Sequence, residues 1–323
     1  MKKPIIAGHP PELGDSDRTD PVPDAKLQHP MLTSSQLQVF EHDGYLVLPG
    51  FKTAAECAMA CERAQQIVDA FQPDTHAGVF STRDRSRVAD AALLSSATVV
   101  RCFFEEEAFD DSGELQVPKA RAINKIGHAL HDSDAVFQAF STGPELAAVG
   151  AALGLSQPQV WQSQVIFKQP HIGGEVGWHQ DASFFVTTPH TVTTFWFALE
   201  DATLDNGCLW VEPGGHHGTR GVLREQYVCE GRDPAAPWNP AGGRLRMQAL
   251  DGTPWPDNRS AVPLPVAAGT LVVFHGLLPH CSAPNRSPRS RLAYTLHVTD
   301  GRAAYSLQNW LQRGPDRPAP GLG

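Results

Sequence analysis

TVTTFWFALEDATLDNGCLWVEP, residues 191–213, decides what kind of fold this chain adopts. Two runs of β-branched and aromatic residues flank the dipeptide Asn206-Gly207, whose members tolerate the positive φ of a tight turn. The pattern therefore predicts two strands joined as a hairpin. Working outward, VWQSQVIFKQP (160–170), GTLVVFHG (269–276) and RLAYTLHV (291–298) have the same texture, and glycine, proline and asparagine separate them. Many short strands without intervening helices argue for an antiparallel sandwich or barrel rather than a βαβ fold.

Upstream of Pro158 the signals are helical. TSSQ (33–36) is a capping box, in which the Thr33 hydroxyl and the Gln36 side chain each satisfy the other's backbone N–H. Gly44 is a suitable left-handed stop, and YLVLPGF (45–51) reads as a short strand. A second box, Thr53 to Glu56, opens a helix through AECAMACERAQQIVDAF (55–71). A third, Thr142 to Glu145 with Pro144 in the first turn, predicts a helix to about Leu153. Residues 74–120 are polar and carry no assignable period. Residues 1–30, rich in proline, aspartate and glycine, read as a disordered tail.

The chain has 323 residues, 41% of them hydrophobic and 19% charged, as expected of a globular protein with a sizeable core. A formal net charge of −9 without a lysine or arginine run excludes nucleic acid and anionic membranes as expected partners. Arg83, Arg85 and Arg87 in TRDRSR are the local exception; they read as a solvated loop, with a carboxylate or phosphate clamp as the alternative. The six cysteines form no CxxC pair, which suggests reduced thiols rather than a zinc finger or disulfide scaffold. The first residues are too polar for a signal peptide, and no apolar run is long enough to span a membrane. A cytoplasmic protein is the expectation, with its oligomeric state open.

GWHQDASFF (177–185) carries the chemistry. On an extended strand His179 and Asp181 point to one face, about 7 Å apart along the chain, while Gln180 points away. Alone, the pair is more readily an ordinary polar strand edge than a metal site, so a third ligand is needed. His280 closes the apolar strand GTLVVFHGLLPH (269–280), and a sheet folded back on itself would bring it beside His179. Two histidines and one carboxylate on one side of an ion leave the opposite positions open, which suits non-haem Fe(II) binding a cosubstrate and O2 together. The other histidines fit less well. His128 and His131 in HALH lack a suitable carboxylate and read as structural. His216 and His217 are adjacent and belong to a turn, and His171 sits in a glycine-rich loop near the site entrance. His275 is an odd number of residues from His280 and faces away from the metal.

Arg291 begins the strand after the turn APNRSPRS (283–290), across from the strand bearing His280. A dicarboxylate chelating a metal through its keto-acid end needs a cation at the far end, and arginine's planar fork matches a carboxylate. Ser282 offers a hydroxyl to the same group. Arg286 and Arg289, in the turn itself, read as surface ion pairs.

HQD (179–181), His280 and Arg291 resemble the phytanoyl-CoA dioxygenase family, as do INKIGHALH (123–131), IFKQPHIGGEVGWHQDASF (166–184), EDATLDNGCLW (200–210) and NWLQ (309–312). The likeness is strongest to the branch called phytanoyl-CoA dioxygenase domain-containing protein and runs from about residue 31 to 313. It implies a mainly β fold with flanking helices and a double-stranded β-helix (jelly-roll) core. The single domain would comprise a helical part (31–157) and the jelly roll (158–300), followed by a C-terminal tail (314–323). The resemblance further implies that Fe(II) is held by His179, Asp181 and His280, and that Arg291 and Ser282 hold the distal carboxylate of 2-oxoglutarate. Lys125 and Trp196 would line the cosubstrate pocket. Gln164 stands where the branch carries methionine, Trp178 where proline is familiar, and PGGH (213–216) replaces PGSH. The expected activity is O2-dependent hydroxylation of a small organic substrate, because Asp181 is kept where related halogenases lose the carboxylate. Desaturation or ring formation would use the same centre. Two other classes are a catalytically idle metal- or ligand-binding jelly roll and a His/His/Asp zinc hydrolase, in which Arg291 has no obvious purpose.

Overall fold

The computed structural model describes residues 32–73, 79–80, 90–257 and 259–323. The expected disordered tail (1–30) and the Arg83, Arg85, Arg87 triplet lie outside them. Helix α1 (Ser34–Asp43) starts as its capping box predicts. The Gln36 N–H donates to Thr33 Oγ1 at 3.2 Å and the Thr33 N–H to Gln36 Oε1 at 2.8 Å, and Gly44 ends the helix at φ 82°. Thr53 and Glu56 repeat the device at α2 (Ala54–Ala70), which buries Cys57, Ala60, Ala64 and Val68 at helical spacing. Helices α3 (Asp90–Ser95), α4 (Leu130–Ser133), α5 (Ala135–Ser141) and α6 (Pro144–Ala152) follow. The third capping box is not formed. Gly143, not Thr142, is the N-cap of α6 and has no side chain to cap with, while the Thr142 hydroxyl donates back to the Gln138 carbonyl within α5.

The strands are β1 (Tyr45–Leu48), β2 (Val79–Phe80), β3 (Val100–Glu105), β4 (Ile123–His128), β5 (Pro158–Lys168), β6 (Val176–His179), β7 (Thr187–Thr188) and β8 (Thr193–Ala198). They continue as β9 (Leu209–Val211), β10 (Glu225–Glu230), β11 (Arg244–Ala249), β12 (Val262–Leu264), β13 (Leu271–His275), β14 (His280–Ser282), β15 (Arg291–Asp300) and β16 (Ala304–Tyr305). An eight-stranded sheet runs β1-β13-β8-β15-β5-β4-β3-β2, and a four-stranded sheet runs β12-β9-β14-β6. Except for β2 with β3, all pairs are antiparallel.

Period-two alternation gives the large sheet two characters. Phe195, Phe197, Tyr294, Leu296, Val165 and Val273 point outward into a core closed by α2, α5 and α6. Their alternates Trp196, Ala198, Val272, Phe274 and Ala293 point inward and pack on Leu209, Val211, Leu264 and Leu278 from the small sheet's side. Two antiparallel sheets face to face with helices on one outer side make the jelly roll expected from the resemblance.

The hairpin expected at Asn206-Gly207 is absent: β8 pairs with β13 and β15, whereas β9 pairs with β12 and β14 in the other sheet. The dipeptide instead lies on a crossing between layers. Asn206 ties it down, accepting from the Thr203 N–H at 2.7 Å and donating to the Asp201 and Ser290 carbonyls at 2.8 and 3.3 Å. Gly207 sits at φ 87°, and a Cβ there would meet the Ala283 carbonyl oxygen at 2.6 Å. Positive φ is needed, but for a close approach rather than a hairpin turn.

Residues 314–323 are docked rather than trailing. The Gly143 N–H donates to the Leu322 carbonyl, the Val160 N–H donates to that of Pro320, and Leu322 is fully buried in the helical core. Leu322→Ala is expected to cost about 2–5 kcal/mol in denaturant unfolding, the usual loss for a buried leucine. A cost near zero would mean that this segment adds nothing to the core.

Candidate metal centre

The register of the small sheet assembles the metal-binding group. His280 on β14 is the direct cross-strand partner of His179 on β6, so both imidazoles rise from one face with ring centroids 4.1 Å apart. Each ring donates its Nδ1–H to the carbonyl two residues before it, His179 to Gly177 at 2.9 Å and His280 to Leu278 at 3.0 Å. That choice of tautomer leaves both Nε2 lone pairs aimed at the same space. The strand stops at His179. Gln180 is still extended, and Asp181 opens a short 3-10 turn (Asp181–Ser183). Gln180 faces away, as expected, bonding the Val222 and Leu277 carbonyls and the Arg224 N–H. The donor atoms of His179, Asp181 and His280 all lie within 4.8 Å of one another, the only such group among the described residues. Burial would raise the Asp181 carboxyl's pKa, but His297, His280 and His179 around it hold it well below the usual carboxylate range. It is therefore an anion ready for a cation.

Arg291 opens β15 on the inner face of the large sheet and is only 2% exposed. Its Nε and Nη1 have no hydrogen-bond partner among the described residues. The nearby carboxylate of Glu200 is spent on the Ser290 hydroxyl and the Leu292 N–H. Burial pushes the guanidinium down to about 10, so it stays charged at neutral pH. Its Cζ stands 5.7 Å from the ring of Trp196. A buried cation with unused donors is what a carboxylate ligand would complete. Ser282 lies two residues beyond His280 on the same face of β14 and is buried.

A cavity of about 180 Å³ opens beside His179 and Asp181. Lys125 on β4 and Gln164 on β5 line its polar side, and Phe184, Tyr227 and Trp310 its apolar side. The Gln164 Oε1 is buried and has no hydrogen-bond partner among the described residues. Burial pushes the Lys125 ammonium down to about 7, against an opposing pull from Glu105. His280, Ser282, Trp196 and Arg291 stand outside this lining. Lys168, which does line it, connects the two regions: it is the cross-strand neighbour of Arg291 and donates to the Gly174, Ala283 and Ser282 carbonyls at 2.5, 2.7 and 3.3 Å.

The remaining sequence candidates separate cleanly. His131 bonds Ser163 and Arg313, and His216 and His217 both bond the Glu41 carbonyl. His275 lies outside the metal-binding group, its Nδ1 accepting from the Leu277 N–H. His171 sits in its loop at φ 68°, and Arg286 pairs with Glu107. His128 bonds Ser96 but also lines the cavity, which a purely structural reading did not anticipate. Sequence reasoning missed Lys168, Thr194 and His297, all on the inner face. Counting by twos from Arg291 along RLAYTLHV reaches His297, and by twos from Gln162 along QSQVIFK reaches Lys168, so the signal was present.

Comparison with known proteins gives the family and supports the fold. Residues 40–293 match the family model Phytanoyl-CoA dioxygenase (PhyH). The chain is 43% identical to phytanoyl-CoA dioxygenase domain-containing protein 1 of Bos taurus over 298 residues, covering 90% of this chain and 98% of the relative. It is also 43% identical to phytanoyl-CoA dioxygenase 1 of Oryza sativa subsp. japonica, covering 87% and 94%. Among solved structures, the fold resembles the non-heme alpha ketoglutarate dependent carbocyclase SnoK from nogalamycin biosynthesis, with TM-score 0.57 and 18% identity over 90% of this chain and 94% of that one. It also resembles EctD from S. alaskensis with bound Fe, with TM-score 0.55 and 20% identity over 94% and 92%. With the family model spanning most of the sequence, the chain belongs to the phytanoyl-CoA dioxygenase (PhyH) family.

Proposed function

We propose that this protein is an Fe(II)- and 2-oxoglutarate-dependent dioxygenase that hydroxylates an unactivated C–H bond of a small organic substrate. The observation that supports it best is a buried guanidinium, two of whose nitrogens have no hydrogen-bond partner among the described residues, in the same sheet sandwich as two histidines and a carboxylate with converging donor atoms. A zinc hydrolase has use for the second feature and none for the first.

In this reading His179, Asp181 and His280 hold the iron, leaving one side of it open. Arg291, with Ser282, anchors the far carboxylate of 2-oxoglutarate, and Lys125, Gln164 and Trp196 shape the space around the cosubstrate. When bound, ferrous iron and 2-oxoglutarate supply O2 activation, with succinate and CO2 released and one oxygen atom passed to the substrate. Phe184, Tyr227 and Trp310 shield that chemistry from water and offer an apolar wall to the substrate. The family relationship favours the same chemistry, and the kept Asp181 favours hydroxylation over halogenation.

The test is succinate release by the purified chain supplied with Fe(II), 2-oxoglutarate and O2, first without any added substrate. Slow turnover that stops anaerobically and is not supported by Zn(II) is the expected result. No succinate under any of these conditions leaves a ligand-binding jelly roll.

Lys125 adds a pH dependence. Its ammonium is charged below its lowered pKa of about 7 and loses that charge as pH rises through it. Any attraction it offers the cosubstrate dianion is therefore present on the acid side and fades on the alkaline side. The KM for 2-oxoglutarate is expected to rise roughly tenfold from about pH 6.5 to 8.5, in line with one charge-assisted hydrogen bond. Lys125→Met should flatten that profile; a profile that keeps its slope in the variant assigns the titration elsewhere.

A further inference from the structure

We propose that His297 is a positioning residue that fixes how Asp181 meets the metal, making it a one-oxygen ligand. This rests on the iron-centre reading above.

His297 projects from the inner face of β15, and its direct cross-strand neighbour on β8 is Thr194. Both converge on one atom. The Thr194 hydroxyl donates to Asp181 Oδ2 at 2.6 Å, and His297 Nε2 stands 3.4 Å from that same oxygen. Oδ1, without those two partners, faces His179 Nε2 at 3.6 Å, while Oδ2 also lies 3.7 Å from His280 Nε2. Both oxygens therefore border the donor group, and only Oδ2 carries those outside contacts. His297 is not itself one of the converging donors, since the metal-binding group closes without it. Its ring is buried, nearly parallel to that of Phe185 at 5.0 Å, and its Nδ1 has no partner among the described residues. An imidazole held against a phenylalanine, with one nitrogen unused, directs its remaining polar atom at the carboxylate.

The consequence lies in the count of coordination positions. Three single-atom protein ligands would leave three positions free on a six-coordinate ion, enough for a chelating keto acid and O2. A carboxylate that swung round to bind through both oxygens would remove one. By engaging Oδ2 from two neighbouring strands, His297 and Thr194 hold that rotation back. Sheet register, not loop conformation, sets the clamp.

The test uses Co(II) as a probe on the purified full chain, reading affinity and the visible d–d spectrum. His297→Leu keeps the bulk against Phe185 and removes the donor. It should weaken Co(II) binding roughly tenfold, within the range typical of losing an outer partner of a ligand, and alter the spectrum. His297→Gln, whose amide reaches the carboxylate, should stay within about threefold of wild type with an unchanged spectrum. If the leucine variant binds Co(II) like wild type with the same spectrum, the proposal is overturned. Should that variant fail to fold, His297→Gln against the shorter His297→Asn decides, and equal affinity and spectra overturn it. If wild type itself binds no Co(II), or His179→Ala binds it as tightly, the iron-centre reading fails instead.

Discussion

His179→Ala is expected to abolish tight metal binding and 2-oxoglutarate turnover while leaving the fold in place. His179 is the least buried of the three candidate ligands, on the last position of a four-residue strand. Its backbone pairing with His280 does not depend on the side chain. Loss of the imidazole should therefore cost about 1 kcal/mol or less of stability, as for substitutions outside the core. The metal, by contrast, would keep only Asp181 and His280. Losing an outer partner of a ligand already costs roughly 10–100-fold in metal affinity, so losing the ligand itself should exceed that range. Equilibrium dialysis against Fe(II) or Co(II), succinate assays and thermal unfolding measure the three effects separately. Because His179 borders the cavity, free imidazole should restore part of the metal binding. A variant that retains iron and turns over 2-oxoglutarate normally would move the metal centre elsewhere.

The metal group was legible in the sequence because its two halves are local statements joined by one topological guess. HxD at strand spacing gives two ligands. An antiparallel sheet that returns on itself supplies the third, and the His179–His280 register is the form that return takes. The capping boxes at Thr33 and Thr53 were equally local, with each hydrogen bond closed within four residues. What sequence reading missed depends on long-range choices. Asn206-Gly207 has hairpin chemistry, but tertiary packing used its positive φ to cross between sheets. Thr142 is not the N-cap at all: Gly143 takes that place, and the Thr142 hydroxyl donates back to the Gln138 carbonyl of the preceding helix. His297 escaped because a histidine in an apolar strand has no local sign of what it faces, although its even spacing from Arg291 puts both on one surface. Leu322 sits beyond any periodic segment, and only the complete fold shows the groove it fills.

Arg291→Met should raise the 2-oxoglutarate requirement steeply without touching the metal. The guanidinium is buried, charged at neutral pH, and has two nitrogens without partners among the described residues. Removing one member of a buried, hydrogen-bonded charge pair typically costs about 3–5 kcal/mol, or roughly two to three and a half orders of magnitude in affinity. The KM should rise by about that much, while Co(II) or Fe(II) binding stays at the wild-type level. Stability supplies a second, independent sign. Without the dicarboxylate, the unsatisfied buried donors are a liability of about 1–3 kcal/mol, and methionine of similar length removes it. The ligand-free variant should therefore unfold no earlier than wild type. Adding 2-oxoglutarate at a hundred times its Kd should stabilise the metal-loaded wild type by about 2.7 kcal/mol, and the same concentration should leave the variant's transition unmoved. Lys168 sharpens the reading, because its ammonium is already committed to three carbonyls and is poorly placed to substitute for the lost cation. A variant that titrates 2-oxoglutarate like wild type would show that the Arg291 guanidinium serves the fold and that the cosubstrate is anchored elsewhere, with Lys125 in the cavity the next residue to substitute.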